Sequence, residues 1–167
     1  MGMIANLLRV SAEELTSYLE DSSLLEQKLD AIYDDEDNET LTDLDKAWEG
    51  VLFVFTGESL ADLVVSNHPF SQAIIGNDTL DEEQDLGFGP AQYLLPEKVK
   101  ELNEQILAIS DEELAARYNP DTMNELGIYP EEWDEESLEY ILEYVGVLRD
   151  TYATAAANNE AIIAFIN

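Results

Sequence analysis

Two short apolar runs, one near each end of the chain, constrain the fold more than any other feature. Met3 to Leu8 contains one polar residue, and Glu160 to Ile166 has the same apolar character. A third run, Ala91 to Leu95, is bounded by prolines. Runs of this length suit strands that are covered on both faces, because a strand exposed on one face would alternate apolar and polar residues. The three runs therefore predict a small and mostly buried sheet.

Helix signals dominate the sequence between these runs. Ser11 and Ser110 each begin a capping box, in which a Glu follows three residues after the Ser. From about Asp43 to Phe55, apolar residues recur at helical spacing, and Gly57 supplies a stop. The sequence thus predicts helices that start at defined caps and bury one face.

Two further helices complete the pattern. One starts at Pro96, and the longest starts near Asp134 or Ser137. Short apolar strands separated by helices predict an α/β fold: a single three-layer domain over residues 1–167, with a small mixed sheet and many helices. The alternative is an α+β fold in which the terminal strands pair and the helices cover one face of the sheet only.

The charge balance limits the classes of partner. The chain has 38 acidic and 7 basic residues, a net charge of −31, while 46% of its residues are hydrophobic. That hydrophobic fraction is enough to form a core, so the chain is not a disordered acidic tail. Nucleic acid backbones and anionic membranes both require a positive surface, so we expect no nucleic acid partner and no membrane partner. No apolar run approaches the length of a membrane helix.

The acids are concentrated in three clusters. Five lie between Asp34 and Glu39, four between Asp81 and Asp85, and six between Glu131 and Glu139. These clusters are typical of solvated loops around a less charged interior. The first cluster lacks the glycine that a helix–loop–helix calcium site needs at its sixth position, where Glu39 stands. We predict no metal site.

Groups with catalytic chemistry are scarce. The chain has no cysteine and one histidine, His68, in a segment typical of a turn. Gly87-Phe88-Gly89-Pro90 lacks the third glycine of a dinucleotide fingerprint, which favours a tight turn before a strand. We predict no catalytic residue and no cofactor. The lack of cysteine and of a basic leader at the N-terminus favours a cytoplasmic location.

Two places suggest a binding surface. Lys46, one of few basic residues, lies two positions before Trp48, so it is either an ion-pair partner of a nearby carboxylate or a ligand contact. Pro130 holds Tyr129 extended, near Trp133. These aromatic residues form either a binding face or the packing of a loop corner.

These segments together resemble the YfbM-like family of small bacterial proteins of unassigned function. The matching segments, in chain order, are Met1-Gly2-Met3-Ile4, Leu44-Asp45-Lys46-Ala47-Trp48, Thr56-Gly57, Ile75-Gly76, Gly87-Phe88-Gly89-Pro90-Ala91-Gln92-Tyr93, Ile128-Tyr129-Pro130 and Trp133. The resemblance implies a single three-layer α/β domain in a bacterial cytoplasm, and it implies no reaction. Family members often carry a histidine where this chain has Leu52, which argues against a shared histidine chemistry.

Two functions remain open. The first is a non-enzymatic interaction module that engages a basic protein, in the manner of an immunity protein, because a dense negative field attracts a positive partner. The second is a small-molecule-binding protein or small enzyme. Its pocket would be formed by residues that the resemblance links through shared motifs: Asp45, Lys46, Trp48, Tyr93, Tyr129 and Trp133.

A third interpretation of the acidity is adaptation to a salty cytoplasm. It predicts that the free energy of unfolding rises strongly with added sodium chloride, because salt screens the repulsion among the carboxylates. Urea unfolding at low and at molar salt measures this. A free energy of unfolding that is indifferent to salt would contradict this interpretation.

Overall fold

The structure is a computed structural model that describes residues 2–167, and it contains a five-stranded sheet. Met1, the first residue of the family resemblance, lies outside the described residues. The strand order is β2-β1-β5-β4-β3. The strands are β1 (Ala5–Val10), β2 (Leu41–Asp43), β3 (Asp78–Thr79), β4 (Gln92–Leu94) and β5 (Ala161–Ile166).

Helices occupy most of the chain between the strands. The α-helices described are α1 (Ala12–Glu20), α2 (Ser23–Tyr33), α3 (Trp48–Thr56), α4 (Leu60–Ser66), α5 (Gln72–Ile75), α6 (Pro96–Leu107), α7 (Asp111–Arg117), α8 (Pro120–Glu125) and α9 (Ser137–Ala157). Short 3-10 turns cover Asp45–Ala47 and Pro69–Ser71. Within residues 2–167, no helix has both the length and the apolar composition needed to cross a membrane.

The two terminal strands pair at the centre of the sheet. β1 and β5 run antiparallel over six residue pairs, from Ala5 opposite Ile166 to Val10 opposite Ala161. Both strands are buried along almost their whole length. The apolar runs at the two ends of the chain are therefore strands, as predicted, although the first begins at Ala5 instead of Met3.

Helices cover both faces of this sheet. Leu7, Ile162 and Leu94 point into a large core formed mainly with α3, α6 and α9. Leu8 and Ile163, on the opposite face, pack into a second core with α1 and α2. This arrangement confirms the predicted three-layer α/β fold, and it differs from the α+β alternative because both faces are covered.

The sheet differs from the predicted mixed sheet in one detail, because each of its described pairings is antiparallel. Two consecutive helices, α1 and α2, separate β1 from β2, and Leu41 at the start of β2 lies opposite Leu8 near the end of β1. The chain thus enters β2 from the end at which it left β1. A parallel pair would need a crossover that returns the chain to the opposite end.

The predicted helix from Asp43 to Phe55 begins later than expected. Asp43 belongs to β2 and lies opposite Asn6, and Asp45 has a φ of +48°, which is incompatible with a continuous helix. The α-helix starts only at Trp48. Its predicted end is confirmed, because Gly57 follows Thr56 with a φ of +76°.

The predicted capping box at Ser11 is formed completely. The Glu14 backbone N–H donates to Ser11 Oγ at 3.1 Å, and the Ser11 N–H donates to Glu14 Oε1 at 3.1 Å. At Ser110, the hydroxyl oxygen accepts from the Glu113 N–H at 3.2 Å. Both predicted helix starts are therefore confirmed, although at Ser110 only the serine side of the predicted box is formed.

We expect the Ser11→Ala variant to lose about 1 kcal/mol of unfolding free energy, because the side-chain acceptor at the start of α1 is removed. Urea unfolding followed by circular dichroism measures the loss. The Ser11→Thr variant is the control and retains most of the stability. Equal stabilities of Ser11→Ala and the unaltered protein would show that the cap contributes little.

Candidate functional site

Five of the six predicted binding residues lie around the beginning of α3. Trp48 stacks on Tyr129, with ring centroids 5.8 Å apart and ring planes inclined at 30°. The ring of Trp133 lies against Gly50, so close that a Cβ at Gly50 would be 2.8 Å from it. Lys46 and Tyr129 both lie beside Gly2. We call the five residues Asp45, Lys46, Trp48, Tyr129 and Trp133 the aromatic corner.

Hydrogen bonds within the chain hold the aromatic corner together. Trp48 Nε1 donates to the Met3 carbonyl at 3.0 Å, and the Met3 N–H donates to the Tyr129 hydroxyl at 2.8 Å. Trp133 Nε1 donates to the Ile128 carbonyl at 2.9 Å. The side chains of Trp48 and Trp133 are 2% and 6% exposed. These aromatic residues join the start of the chain to α3 and to the loop before α9.

Tyr93 does not belong to the aromatic corner. It lies on β4 opposite Ile163 and packs against the second core, on the face of the sheet that α1 and α2 cover. Neighbouring residues of a strand point to opposite faces, and Leu94 accordingly points into the large core. Ligand binding by the six residues stays a prediction. The structure places Tyr93 on the opposite face of the sheet from Trp48 and Trp133.

Asp45 and Lys46 have different surroundings. The Tyr140 hydroxyl donates to Asp45 Oδ2 at 2.7 Å. Burial, together with this carboxylate, raises the pKa of Tyr140 above its ordinary value. Lys46 is exposed, and no carboxylate of residues 2–167 lies within ion-pair distance of its ammonium group. The ion pair considered for Lys46 is therefore not formed within this part of the chain.

Glu49 is a structural residue that sequence reasoning did not identify. It is 8% exposed, its Oε1 accepts from the Leu60 N–H at 3.0 Å, and its Oε2 accepts from the Tyr129 N–H at 2.8 Å. The carboxylate thus links the start of α4 to the aromatic corner. The signal in the sequence was a lone Glu inside the most apolar helix of the chain.

His68 has a structural partner. Its Nδ1 accepts from the Phe70 N–H at 3.1 Å and thereby caps the 3-10 turn Pro69–Ser71. The turn-stabilising interpretation of this histidine is therefore confirmed. Within the part of the chain that the structure describes, no group of three or more His, Cys, Asp or Glu side chains is arranged to hold a metal ion.

The second acid cluster packs beside α2. Ser22 Oγ donates to Asp81 Oδ2 at 2.5 Å, and Gln84 Nε2 donates to the Ser22 carbonyl at 3.1 Å and to Glu26 Oε1 at 3.2 Å. The first cluster begins directly after α2, at Asp34. Two clusters that are far apart in the sequence thus border the same helix.

A groove of about 260 Å³ lies between α2, the loop after the second cluster and the end of β5. We call it the acidic groove. It is lined by the carboxylate residues Glu26, Asp30 and Asp85, the aromatic Tyr33, the apolar Leu29, Leu86 and Phe165, and Asn167. None of these lining residues is basic, so the groove combines negative charge with an apolar floor.

Asp85 organises the loop that borders this groove. Its Oδ1 accepts from the Gly87 N–H at 2.9 Å and from the Gly89 N–H at 3.0 Å. These two bonds lower the pKa of Asp85 below its ordinary value, because they stabilise the ionised carboxylate. Both glycines have positive φ, +136° and +102°, which confirms the predicted tight turn before a strand.

A second groove, of about 360 Å³, lies on the other side of this loop and carries no charged side chain. Its walls include Ile75 and Gly76 at the end of α5, and Phe88 and Gln92. Two segments of the family resemblance, distant in sequence, therefore meet here. Neither groove is lined by any of the six predicted binding residues.

The layered fold, its largely uncharged interior and its acidic groove define a small acidic α/β protein. Residues 1–165 match the family model described as "Domain of unknown function (DUF1877)", and the chain belongs to this family. Protein YfbM of Escherichia coli strain K12 is 27% identical over 139 residues, which are 83% of this chain and 80% of that protein. The predicted YfbM-like resemblance is thereby confirmed.

A solved structure supports the same fold. The crystal structure of a protein of unknown function, YfbM from Escherichia coli, superimposes with a TM-score of 0.74 at 21% sequence identity. The match covers 98% of this chain and 99% of that chain. At this identity, the likeness shows a common fold and transfers no activity.

We expect the Glu49→Gln variant to lose about 1–3 kcal/mol of unfolding free energy, because a single amide oxygen cannot accept both backbone N–H groups. Thermal and urea unfolding measure the loss. Glu97→Gln is the matched control: it makes the same charge change at an exposed position that is likewise the second residue of a helix, with an expected effect within about 0.5 kcal/mol. Equal effects of the two substitutions would show that the bonds of Glu49 add no stability.

Proposed function

We propose that this protein is a non-enzymatic interaction module that binds a basic protein through its acidic surface. The observation that carries this proposal is the distribution of charge. Arg9, Lys28, Lys98 and Arg149, four of the 7 basic residues, form ion pairs with carboxylates of the same chain. These pairs leave most of the 38 acidic residues without a cationic neighbour.

The exposure of the acid clusters supports the proposal. All five acids between Asp34 and Glu39 are exposed, as are the six between Glu131 and Glu139. Such a surface accelerates the encounter with a positively charged protein and repels nucleic acid and anionic membranes. Masking a basic toxin, as an immunity protein does, is one function of this kind, and the cytoplasm is the compartment in which we propose that it acts.

The alternative is a small-molecule site or small enzyme near Lys46, Trp48 and Tyr129. It has less support, because the two rings are occupied in holding Met3 and neither described groove opens on them. The side chain with the most versatile proton chemistry, His68, accepts a backbone hydrogen bond through Nδ1. Binding through the surface instead uses exposed carboxylates, most of which have no cationic partner within the described residues.

A capture experiment tests the proposal. The tagged protein is exposed to bacterial cytosol at low salt and then washed at high salt, and the eluted proteins are identified by mass spectrometry. An unrelated acidic protein of comparable net charge is the control bait, so that basic proteins retained by both baits are discarded. We expect a basic protein that only this chain retains.

The captured protein is then purified and titrated against this chain at several salt concentrations. We expect the logarithm of the association constant to fall as the logarithm of the salt concentration rises, because charged contacts are screened. Failure to recover any basic protein selectively, or an affinity that salt does not change, would refute the proposed function.

A further inference from the structure

The acidic groove has the chemistry of a receptor for one long cationic side chain. Glu26, Asp30 and Asp85 supply the negative charge, and the loop amides of Gly87 and Gly89 hold the Asp85 carboxylate in place. Lys28, the basic residue of α2, is not among the lining residues, and its ammonium group faces Glu14 on α1 at 3.8 Å. The charged residues that line the groove are therefore all acidic.

The remainder of the groove is apolar and aromatic. Leu29, Leu86 and Phe165 line it, and Tyr33, which is 56% exposed, lies beside them. Lysine and arginine side chains combine an aliphatic stem with a terminal cation, and they place the stem on apolar surface and the cation near carboxylates or an aromatic face. A simple metal ion would gain nothing from the apolar contacts.

The size of the groove also points to a single side chain. Its volume of about 260 Å³ is below the range of about 300–1,000 Å³ that is usual for sites of drug-sized ligands. Its walls are held in place before any partner binds. The Ser22–Asp81 bond of 2.5 Å and the Gln84–Ser22 bond of 3.1 Å attach the loop to α2. Little ordering is needed on binding, which favours affinity.

We propose that the acidic groove is the docking site for a lysine or arginine side chain of the basic partner. This inference rests on the proposed function and assigns the binding of the basic partner to one place on the surface. The charge complementarity between the groove and such a side chain, together with the exposed Tyr33, selects this groove over the uncharged groove on the other side of the 85–90 loop.

Two charge-reversal variants test the location. Asp30→Lys changes the groove, and Glu104→Lys makes the same change of net charge on α6, outside the three acid clusters and the groove. Both positions are exposed, and neither side chain forms a hydrogen bond within residues 2–167, so both variants are expected to fold. Circular dichroism confirms folding. A tri-lysine peptide and the captured basic protein are the probes.

We expect Asp30→Lys to weaken the binding of both probes about tenfold, because a like charge replaces an attractive one, and Glu104→Lys to change it by less than about twofold. A third variant, Tyr33→Ser, removes the aromatic surface without changing the charge and is expected to weaken binding also at high salt. Nuclear magnetic resonance of the labelled protein follows the amide signals of Asp30, Leu86 and Asn167 during the peptide titration.

The possible outcomes distinguish a failure of the proposed docking site from a failure of the proposed function. If the basic protein binds and both charge variants weaken it equally, while Tyr33→Ser has no effect, the attraction is diffuse and the groove is not the docking site. If spermidine binds the groove and the captured protein is insensitive to Asp30→Lys, the groove binds free polyamines, which also overturns the inference. If no basic protein is captured, the proposed function itself fails.

Discussion

The antiparallel pairing of β1 with β5 is the interaction on which the remaining structure depends. The other strands join the sheet on either side of this pair, and the two cores lie on its two faces. Backbone bonds between Ile4 and Asn167, at 2.9 and 3.1 Å, extend the ladder beyond the strands. Because residues from opposite ends of the chain form the central pair, α5, which contacts both strands, packs against a surface that both ends provide.

So acidic a chain has an apolar interior because nearly all of its carboxylates lie outside the two cores. Among residues 2–167, Glu49 is the one carboxylate residue that is buried, and two backbone N–H groups solvate it in place of water. The other carboxylates lie toward the surface, where water and salt reduce their mutual repulsion. The acidity is thus a property of the outer layers, and the cores pack as they would in a neutral protein.

The sequence predicted the aromatic corner better than the grooves. Trp48, Tyr129 and Trp133 were singled out, and they do lie together, because large aromatic side chains near turns tend to pack where chain segments meet. Tyr93, which was grouped with them, lies on the other face of the sheet, and the faces of a strand cannot be assigned before its register is known. The acidic groove was not predicted, because its walls come from α2, from the loop at Asp85 and from the end of β5.

The sequence by itself determined the strands at both ends of the chain, the caps at Ser11 and Ser110, the end of α3 at Gly57 and the negative surface. These features depend on hydrophobic pattern, backbone preference and charge, which act over a few residues. Only the tertiary structure decided the antiparallel order of the strands, the shortening of the helix predicted from Asp43, the burial of Glu49 and the assembly of the acidic groove. Each of these depends on contacts between residues far apart in sequence, and the energies of such contacts are settled only when the layers pack together.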